Sequence, residues 1–398
     1  DIEYARRLVA NSVVLWWLPK ALPDHGGFEM DNIENDNKFE FPTINNPDIY
    51  STACLEIDLS NLAINTILTG TLLNEAEGSD LADDSMVHDS NNGASTMAED
   101  SFLPPALAIL RSMVKFWWDE ALKANINADA AMNALIPWVQ RKESKLFDPA
   151  LFYHVHNLAT KSFYQLVGEF KKLGGNIIHG LRNKIIVQTN KPSVDTLYAA
   201  GQYFVKAIRK KPLYSFLDMQ ICRYWDTLVW MDEFNYGGRS CTTIIDADEQ
   251  LLTLDSKWLL KKFLPPLFQT EFEDWWIIFL NSLVEEKIEI LQTTQRATQL
   301  AHLNRDENKP DKTIKLFSGP FLARIEKLLR KQNELILSPE LKQEYEFPKI
   351  PSNQKILKNP TLELAKYLLQ IFSLSTHRNL EVRILRKDVL ALFEIQEF

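Results

Sequence analysis

Two short stretches hold the residues whose types and spacing could do chemistry. In CLEIDLS, residues 54–60, Glu56 and Asp58 alternate with Leu55, Ile57 and Leu59, the period-two pattern of a strand with one apolar and one polar face. In GGNIIHGLRNKIIVQT, residues 174–189, two apolar runs flank a polar centre containing Gly180 and Asn183, which reads as a β-hairpin with a tight turn. Carboxylates on two strands could clamp a pair of Mg²⁺ ions about 3.5 to 4 Å apart and neutralise the attacking and leaving oxygens of a phosphoryl transfer. The hairpin withholds its half of that set. No carboxylate lies between His179 and Lys184, Gly180 offers no ligand, and Arg182 brings a cation that repels divalent ions. Asp58 alone cannot hold two metals.

The elements that must position these residues follow from patterning. Pro149 after Asp148, then Phe152, Val155, Leu158, Phe163, Leu166, Val167 and Phe170, predict a helix stopped by Gly174-Gly175. Ser193 opens an amphipathic helix with Leu197, Ala200, Phe204 and Ile208. The aromatic and β-branched run from Tyr214 to Asp232 predicts one or two strands. Strand 54–60, helix 149–172, hairpin 175–189, helix 193–210 and strand 214–223 spell β-α-β-β-α-β, the split βαβ or ferredoxin-like arrangement of an α+β protein. Between its first strand and helix lie an acidic, Ser/Asn/Gly-rich stretch, residues 74–101, expected to be a mobile insertion, and helical material at 101–145 whose cap is Ser101. Residues from Ser256 onward are dominated by helical patterns.

Composition narrows the function classes. The 398 residues are 45% hydrophobic and 24% charged, and the net charge of -9 excludes a broad positive field, so nucleic acid would have to meet a local patch. Cys54, Cys222 and Cys241 lie far apart and indicate neither a disulfide framework nor a zinc site, which suits a reducing, intracellular compartment. The apolar runs Val13 to Leu18 and Trp275 to Leu280 are far shorter than the roughly 20 residues that span a bilayer. The start, Asp1-Ile2-Glu3-Tyr4, suggests an excised part of a longer chain. No Walker loop, G-x-S-x-G or G-x-G-x-x-G motif is present in context.

Plain structural readings stand beside the chemical ones. Asp58 on a polar strand face, and Glu56 with it, read as solvated carboxylates. Arg182 at a hairpin tip reads as exposed, the alternative being an ion pair with Asp58. His154 and His156 point to different faces of a helix and do not suit joint metal binding. The pairs Trp16-Trp17, Trp117-Trp118 and Trp275-Trp276 read as core or interface anchors before base-stacking platforms. Arg209, Lys210 and Lys211, and Arg324, Lys327, Arg330 and Lys331, are candidate contacts for DNA or acidic partners, with solvated faces as the plain alternative.

The sequence resembles the B-family DNA polymerases at several points. EIDLSNLAINTILTGTL, residues 56–72, is similar to the first palm motif, with Asp58 on the metal-binding aspartate and Ala63-Ile64 where Tyr-Pro stands in active members. The hairpin resembles the Asp-Thr-Asp motif, with Gly180-Leu181-Arg182 in its place. NSVVLWWLPKALPDHGG, LEIDLSNLAINTIL, VWMDEFNYGG and NPTLELAKYLLQIFSL are similar to the C-terminal, non-catalytic half of the large subunit in the DNA polymerase epsilon family.

That resemblance implies an inactivated polymerase module. Residues 1–53 would pack on the palm, 54–73 and 146–245 would be the degenerate palm, and 74–100 the acidic insertion. Residues 101–145 would be a helical fingers-like region and 246–398 a helical thumb-like region. It further implies a nuclear, hetero-oligomeric replication scaffold that joins the polymerase to the MCM ring and GINS of the helicase, as well as to the polymerase epsilon B subunit. No cofactor is expected in this segment, and zinc only in cysteine-rich fingers beyond Phe398. Two alternatives stand beside it. One is a weak polymerase using Asp226 or Asp232. The other is a non-sequence-specific DNA-binding module using Lys327 and Arg330.

Overall fold

The computed structural model describes residues 1–15, 41–80, 104–141, 144–242, 252–299, 317–334, 342–349, 359–375 and 379–395. Trp16-Trp17, the Ser101 cap and most of the acidic stretch lie outside them.

The helix predicted from Asp148 is α5, Pro149–Lys172. The Asp148 carboxylate accepts from Ala150 N at 2.9 Å and Leu151 N at 3.3 Å, satisfying backbone donors that have no partner inside the helix. It stops at Gly174, whose φ of +87° is open to glycine at little cost. Gly175 follows for a different reason, since a Cβ there would sit 2.5 Å from Val187 Cγ1. Preceding it are α1 (Ile2–Ala10), α2 (Leu62–Asp80), α3 (Pro104–Ala121) and α4 (Ile126–Gln140). Helix α2 runs past residue 74, where the mobile insertion was expected to begin.

Strand β3 is Cys54–Ser60, and the hairpin is β4 (Asn176–Leu181) and β5 (Lys184–Gln188). After it come α6 (Val194–Arg209) and β6 (Asp218–Asp232). These four strands lie in the order β4-β5-β3-β6, every neighbour antiparallel, which is the order of a split βαβ unit. The final strand starts at Asp218, not Tyr214. Pro212–Tyr214 turns as a 3₁₀ helix, since proline fixes φ and lacks the N–H a strand ladder needs. It is also one 15-residue strand, because its bulges near Trp225 and Trp230 bend the run without ending it.

The sheet is wider than patterning foresaw. Strands β7 (Asn235–Cys241) and β8 (Thr253–Trp258) extend it beyond β6, and β8 precedes and overlaps the start of the stretch read as helical. NYGGRSC lacks apolar alternation because it is pressed against its neighbours. A Cβ on Gly238 would lie 2.0 Å from the Thr227 carbonyl oxygen.

On the other side, the short strands β1 (Ile44–Asn45) and β2 (Asp48–Tyr50) pair with β4 and β6 respectively. One chain segment thus joins the two outer strands of the four, and the pairings β4, β5, β3, β6 and back make a ring. Five antiparallel pairings cannot close a ring of straight strands, since directions must alternate an even number of times. The break at Asn46-Pro47 lets the segment change direction between its two partners.

Helices α5 and α6 cover one face of these strands, burying Leu55, Ile57, Phe163, Phe170, Leu197 and Val187. A second core joins α1, α3, α4 and the start of α5. The third packs α7 (Pro266–Gln299), α8 (Leu322–Glu334), α10 (Pro360–Phe372) and α11 (Asn379–Leu392) against Val229 and Trp258, with the one-turn α9 (Lys342–Tyr345) beside α7. No described helix is long and apolar enough to cross a membrane.

Candidate functional site: a neutralised carboxylate on the sheet

On the sheet face away from α5 and α6, β3 presents Cys54, Glu56 and Asp58. Asp58 is exposed and lies across from Lys184 in β5 and Gln220 in β6. Glu56 does not behave as the solvated carboxylate its alternation predicted. It is 4% exposed and is held from three directions. Lys184 Nζ donates to Oε1 at 2.5 Å, Trp225 Nε1 donates to Oε2 at 3.0 Å, and Arg223 stands 3.7 Å from Oε2. Arg223 also pairs with Asp255 of β8 at 2.9 Å and lies over the Trp225 ring at 5.2 Å. A charge can be buried when partners replace its water, and here β5 and β6 supply those partners, with β8 anchoring Arg223.

Protonation follows the charges. Burial pulls the Lys184 ammonium down, yet its hydrogen bond and charge contact with Glu56 outweigh this and hold it above the ordinary lysine range. The Cys222 thiol, 3.3 Å from the Glu56 carbonyl oxygen, is pushed up to about 12 by burial and by the charges of Glu56 and Asp58. It therefore stays protonated at neutral pH and is a poor nucleophile.

Next along the same face is an aromatic cluster of Tyr50, Trp225, Trp230 and Tyr236, with Cys54, Ile178, Ile186 and Leu228. The segment 44–50 spans it. Trp230 Nε1 donates to Asn45 Oδ1 at 2.7 Å, and Asn45 Nδ2 donates to the Met231 carbonyl at 2.9 Å. His179 packs against Trp230 with the rings tilted by 38° and their centres 4.9 Å apart, and burial depresses its imidazole pKa against the opposing pull of a hydrogen bond to Ile44.

The hairpin places Arg182 at its tip, as read from the sequence, but not Gly180. The turn is Arg182-Asn183, and Gly180 sits inside β4 opposite Ile185. A Cβ at Gly180 would come within 2.9 Å of Phe163 Cζ and 3.5 Å of Ile44 Cβ, so this position is packed against α5 and β1. Arg182 is half-buried. Its guanidinium lies 5.7 Å from the Phe41 ring centre, and among the described residues it makes no ion pair with Asp58. Ala63 and Ile64 are buried in α2.

The two Mg²⁺ ions implied by the polymerase resemblance do not fit this donor set. Glu56 is already neutralised, Gly180 has no room for a carboxylate, and Asp58 stands alone beside a lysine. The alternative carboxylates are engaged elsewhere. Asp226 is buried and accepts from Lys287 of α7 at 2.8 Å, while Asp232 accepts from Phe234 N at 2.7 Å and from Asn235 Nδ2. Among the described residues no cluster of three or more His, Cys, Asp or Glu could hold a metal.

The remaining candidates also find places. His156 packs against Phe41 and Phe152, and Trp275 and Trp276 are buried in the α7 core. Trp117 donates to Glu3 at 2.9 Å, and Trp118 meets Phe216 edge-on. Arg209 pairs with Asp218, Lys211 with Glu169, Arg324 with Glu271 and Arg330 with Glu326, while Lys210, Lys327 and Lys331 are exposed. Sequence reasoning missed Lys184, Arg223, Trp225 and Asp255. The signal available was a cation directly after the turn, ahead of the apolar run Ile185-Ile186-Val187.

Fold and site together define a class: an α+β protein whose antiparallel sheet carries a buried, charge-neutralised carboxylate. The chain belongs to the family described as a domain of unknown function, DUF1744, whose model matches residues 1–239. It is 56% identical over 414 residues to the catalytic subunit of DNA polymerase epsilon from Debaryomyces hansenii, 45% over 416 residues to that of Saccharomyces cerevisiae, and 34% over 409 residues to that of Schizosaccharomyces pombe. Each pairing covers 100% of this chain and 19% of the relative, so the chain spans about a fifth of the length of these proteins. The resemblance to the polymerase epsilon family, first visible in four short stretches, thus extends over the whole chain.

Proposed function

We propose that this chain is a non-catalytic scaffold module of a DNA polymerase epsilon catalytic subunit, with its role in nuclear DNA replication. In this reading it is an inactivated B-family module: β3 to β6 with α5 and α6 form a degenerate palm, residues 101–145 a fingers-like region and residues 246–398 a thumb-like region. It joins the polymerase to the MCM and GINS components of the replicative helicase, as well as to the polymerase epsilon B subunit, in a hetero-oligomer.

One observation carries the non-catalytic reading. Asp58, on the position of the metal-binding aspartate in the resemblance, faces Lys184 and no second carboxylate, since the hairpin offers only Gly180 packed against Phe163. The neighbouring acid Glu56 is already held by Lys184, Trp225 and Arg223. A buried carboxylate held from three directions suits a rigid support, which spares partners the cost of ordering a flexible chain on binding.

The test is reconstitution with the purified 398-residue chain. Primer extension with Mg²⁺ or Mn²⁺ is expected to be absent, and crosslinking mass spectrometry with MCM, GINS and the B subunit is expected to give specific crosslinks. Nucleotide incorporation abolished by Asp58→Ala, or a lack of crosslinks to all of these proteins, would overturn the proposal.

A further inference from the structure

We propose that the C-terminal ends of α5 and α6 form a surface for single-stranded nucleic acid. Helix α5 ends in Lys171 and Lys172, and α6 carries Lys206 and Arg209 before running into Lys210 and Lys211. The two ends lie side by side. Phe170 meets Phe204 with ring centres 6.4 Å apart, and Glu169 pairs with Lys172 at 3.3 Å and also with Lys211. Six cations are thus gathered around two carboxylates, Glu169 and Asp218, on a protein of net charge -9.

Part of that charge has a structural use. Cations at helix C-termini offset the partial negative charge of the free carbonyls. Burial pushes the Glu169 carboxyl up, but hydrogen bonds from Lys211 and Lys172 outweigh it and hold it ionised. Arg209 is occupied by Asp218 and by the Met219 carbonyl. The surplus lies elsewhere. Lys171, Lys206 and Lys210 are exposed and make no ion pair among the described residues. Tyr203 is 61% exposed.

Tyr203, Lys206 and Lys210 are spaced i, i+3, i+7 and share one flank of α6. The stripe is about 10 Å long at 1.5 Å per residue. A ring in line with ammonium groups offers a base a π-face and its phosphates a counter-charge, the pairing that sequence-tolerant single-strand binders use. An acidic peptide would use only the cations and leave Tyr203 idle. Paired bases in a duplex have no free face to stack. This inference goes beyond the scaffold reading and does not depend on it, since contacts to replication proteins need no nucleic-acid surface.

Fluorescence anisotropy of the 398-residue chain with a labelled oligo-dT tests it. Binding is expected to weaken steeply between about 50 and 200 mM salt. The K206E/K210E variant should lose tenfold or more, and Tyr203→Ala about five- to a hundredfold, while K327E/R330E binds as the parent does. Circular dichroism melts check that each variant is folded. Absence of binding at the lowest salt, an equal loss in K327E/R330E, or no effect of Tyr203→Ala would overturn the proposal. So would stronger competition by a poly-glutamate peptide or a duplex of equal length.

Discussion

The two faces of one sheet contrast sharply. Behind β3, Leu55, Ile57 and Leu59 are buried under α5 and α6 against Phe163, Leu166 and Leu197, an apolar core fixed by alternation. In front, a neighbouring residue on the same strand, Glu56, is buried just as completely, yet by charge pairing. The back needs only apolar side chains of suitable size, because hydrophobic burial is non-directional. The front needs Lys184, Arg223 and Trp225 in particular geometry, because an ion stripped of water is tolerated only when its lone pairs are met. Apolar patterning predicts the first kind of burial and is blind to the second.

The strongest way to break the back face is Phe163→Ala, which empties a fully buried site and should cost about 3 to 5 kcal/mol in urea unfolding. Gly180→Asp probes the same back face from the hairpin side. It drives a Cβ toward Phe163 and places a carboxylate beside Ile44, for an expected loss of about 3 kcal/mol. Calorimetric titration of that variant should show no Mg²⁺ uptake, and tight uptake would contradict the account of this face.

A smaller effect is expected from Lys184→Met. Its side chain is 37% exposed, so solvent screens part of the pair, and we expect a loss of about 1 to 2 kcal/mol. Pairing it with Glu56→Leu should restore most of that stability, because no charge is then left buried. If the double variant is the worse of the two, charge pairing is not what holds the front face. Lys184 has a raised pKa, so its contribution is complete below the ordinary lysine value of about 10.4 and is lost as pH climbs through the folded value. The alkaline limb of stability should flatten in the variant.

His179 gives a subtler readout. Its depressed pKa means that the unfolded chain takes up a proton first as pH drops below about 6.5, so stability should decline on that side. His179→Phe should flatten that decline, which chemical denaturation between neutral and mildly acidic pH would reveal. Smallest of all, Asp58→Asn on the exposed end of β3 should change stability by less than about 0.5 kcal/mol.

Much of the frame was legible. The α5 cap at Asp148, its glycine stop, the hairpin strands and the amphipathic α6 lie where local rules put them, because each depends on residues within a few positions. Strand β7 was not legible, since its glycines answer a close approach by Thr227 and Trp276 from elsewhere in the chain. The role of Gly180 was not legible for the same reason: that glycine serves packing against Phe163, while the turn is made by Arg182-Asn183 without a left-handed residue. The missing carboxylates of the candidate site were visible at once. The lysine, arginine and tryptophan that replace them were not, because the three sit on β5 and β6, far from Glu56 in sequence.

By itself the sequence determined the α+β frame, the apolar back of the sheet and the lack of a second acid in the hairpin. These are set by periodicity, caps and residue type, all of them local. Only the tertiary structure decided that Glu56 is a buried ion, that segment 44–50 links the outer strands, and that the ends of α5 and α6 meet in one basic surface. Each of those joins residues far apart in the chain, and whether a charge is solvated, paired or clustered depends on what the fold brings within a few ångströms of it.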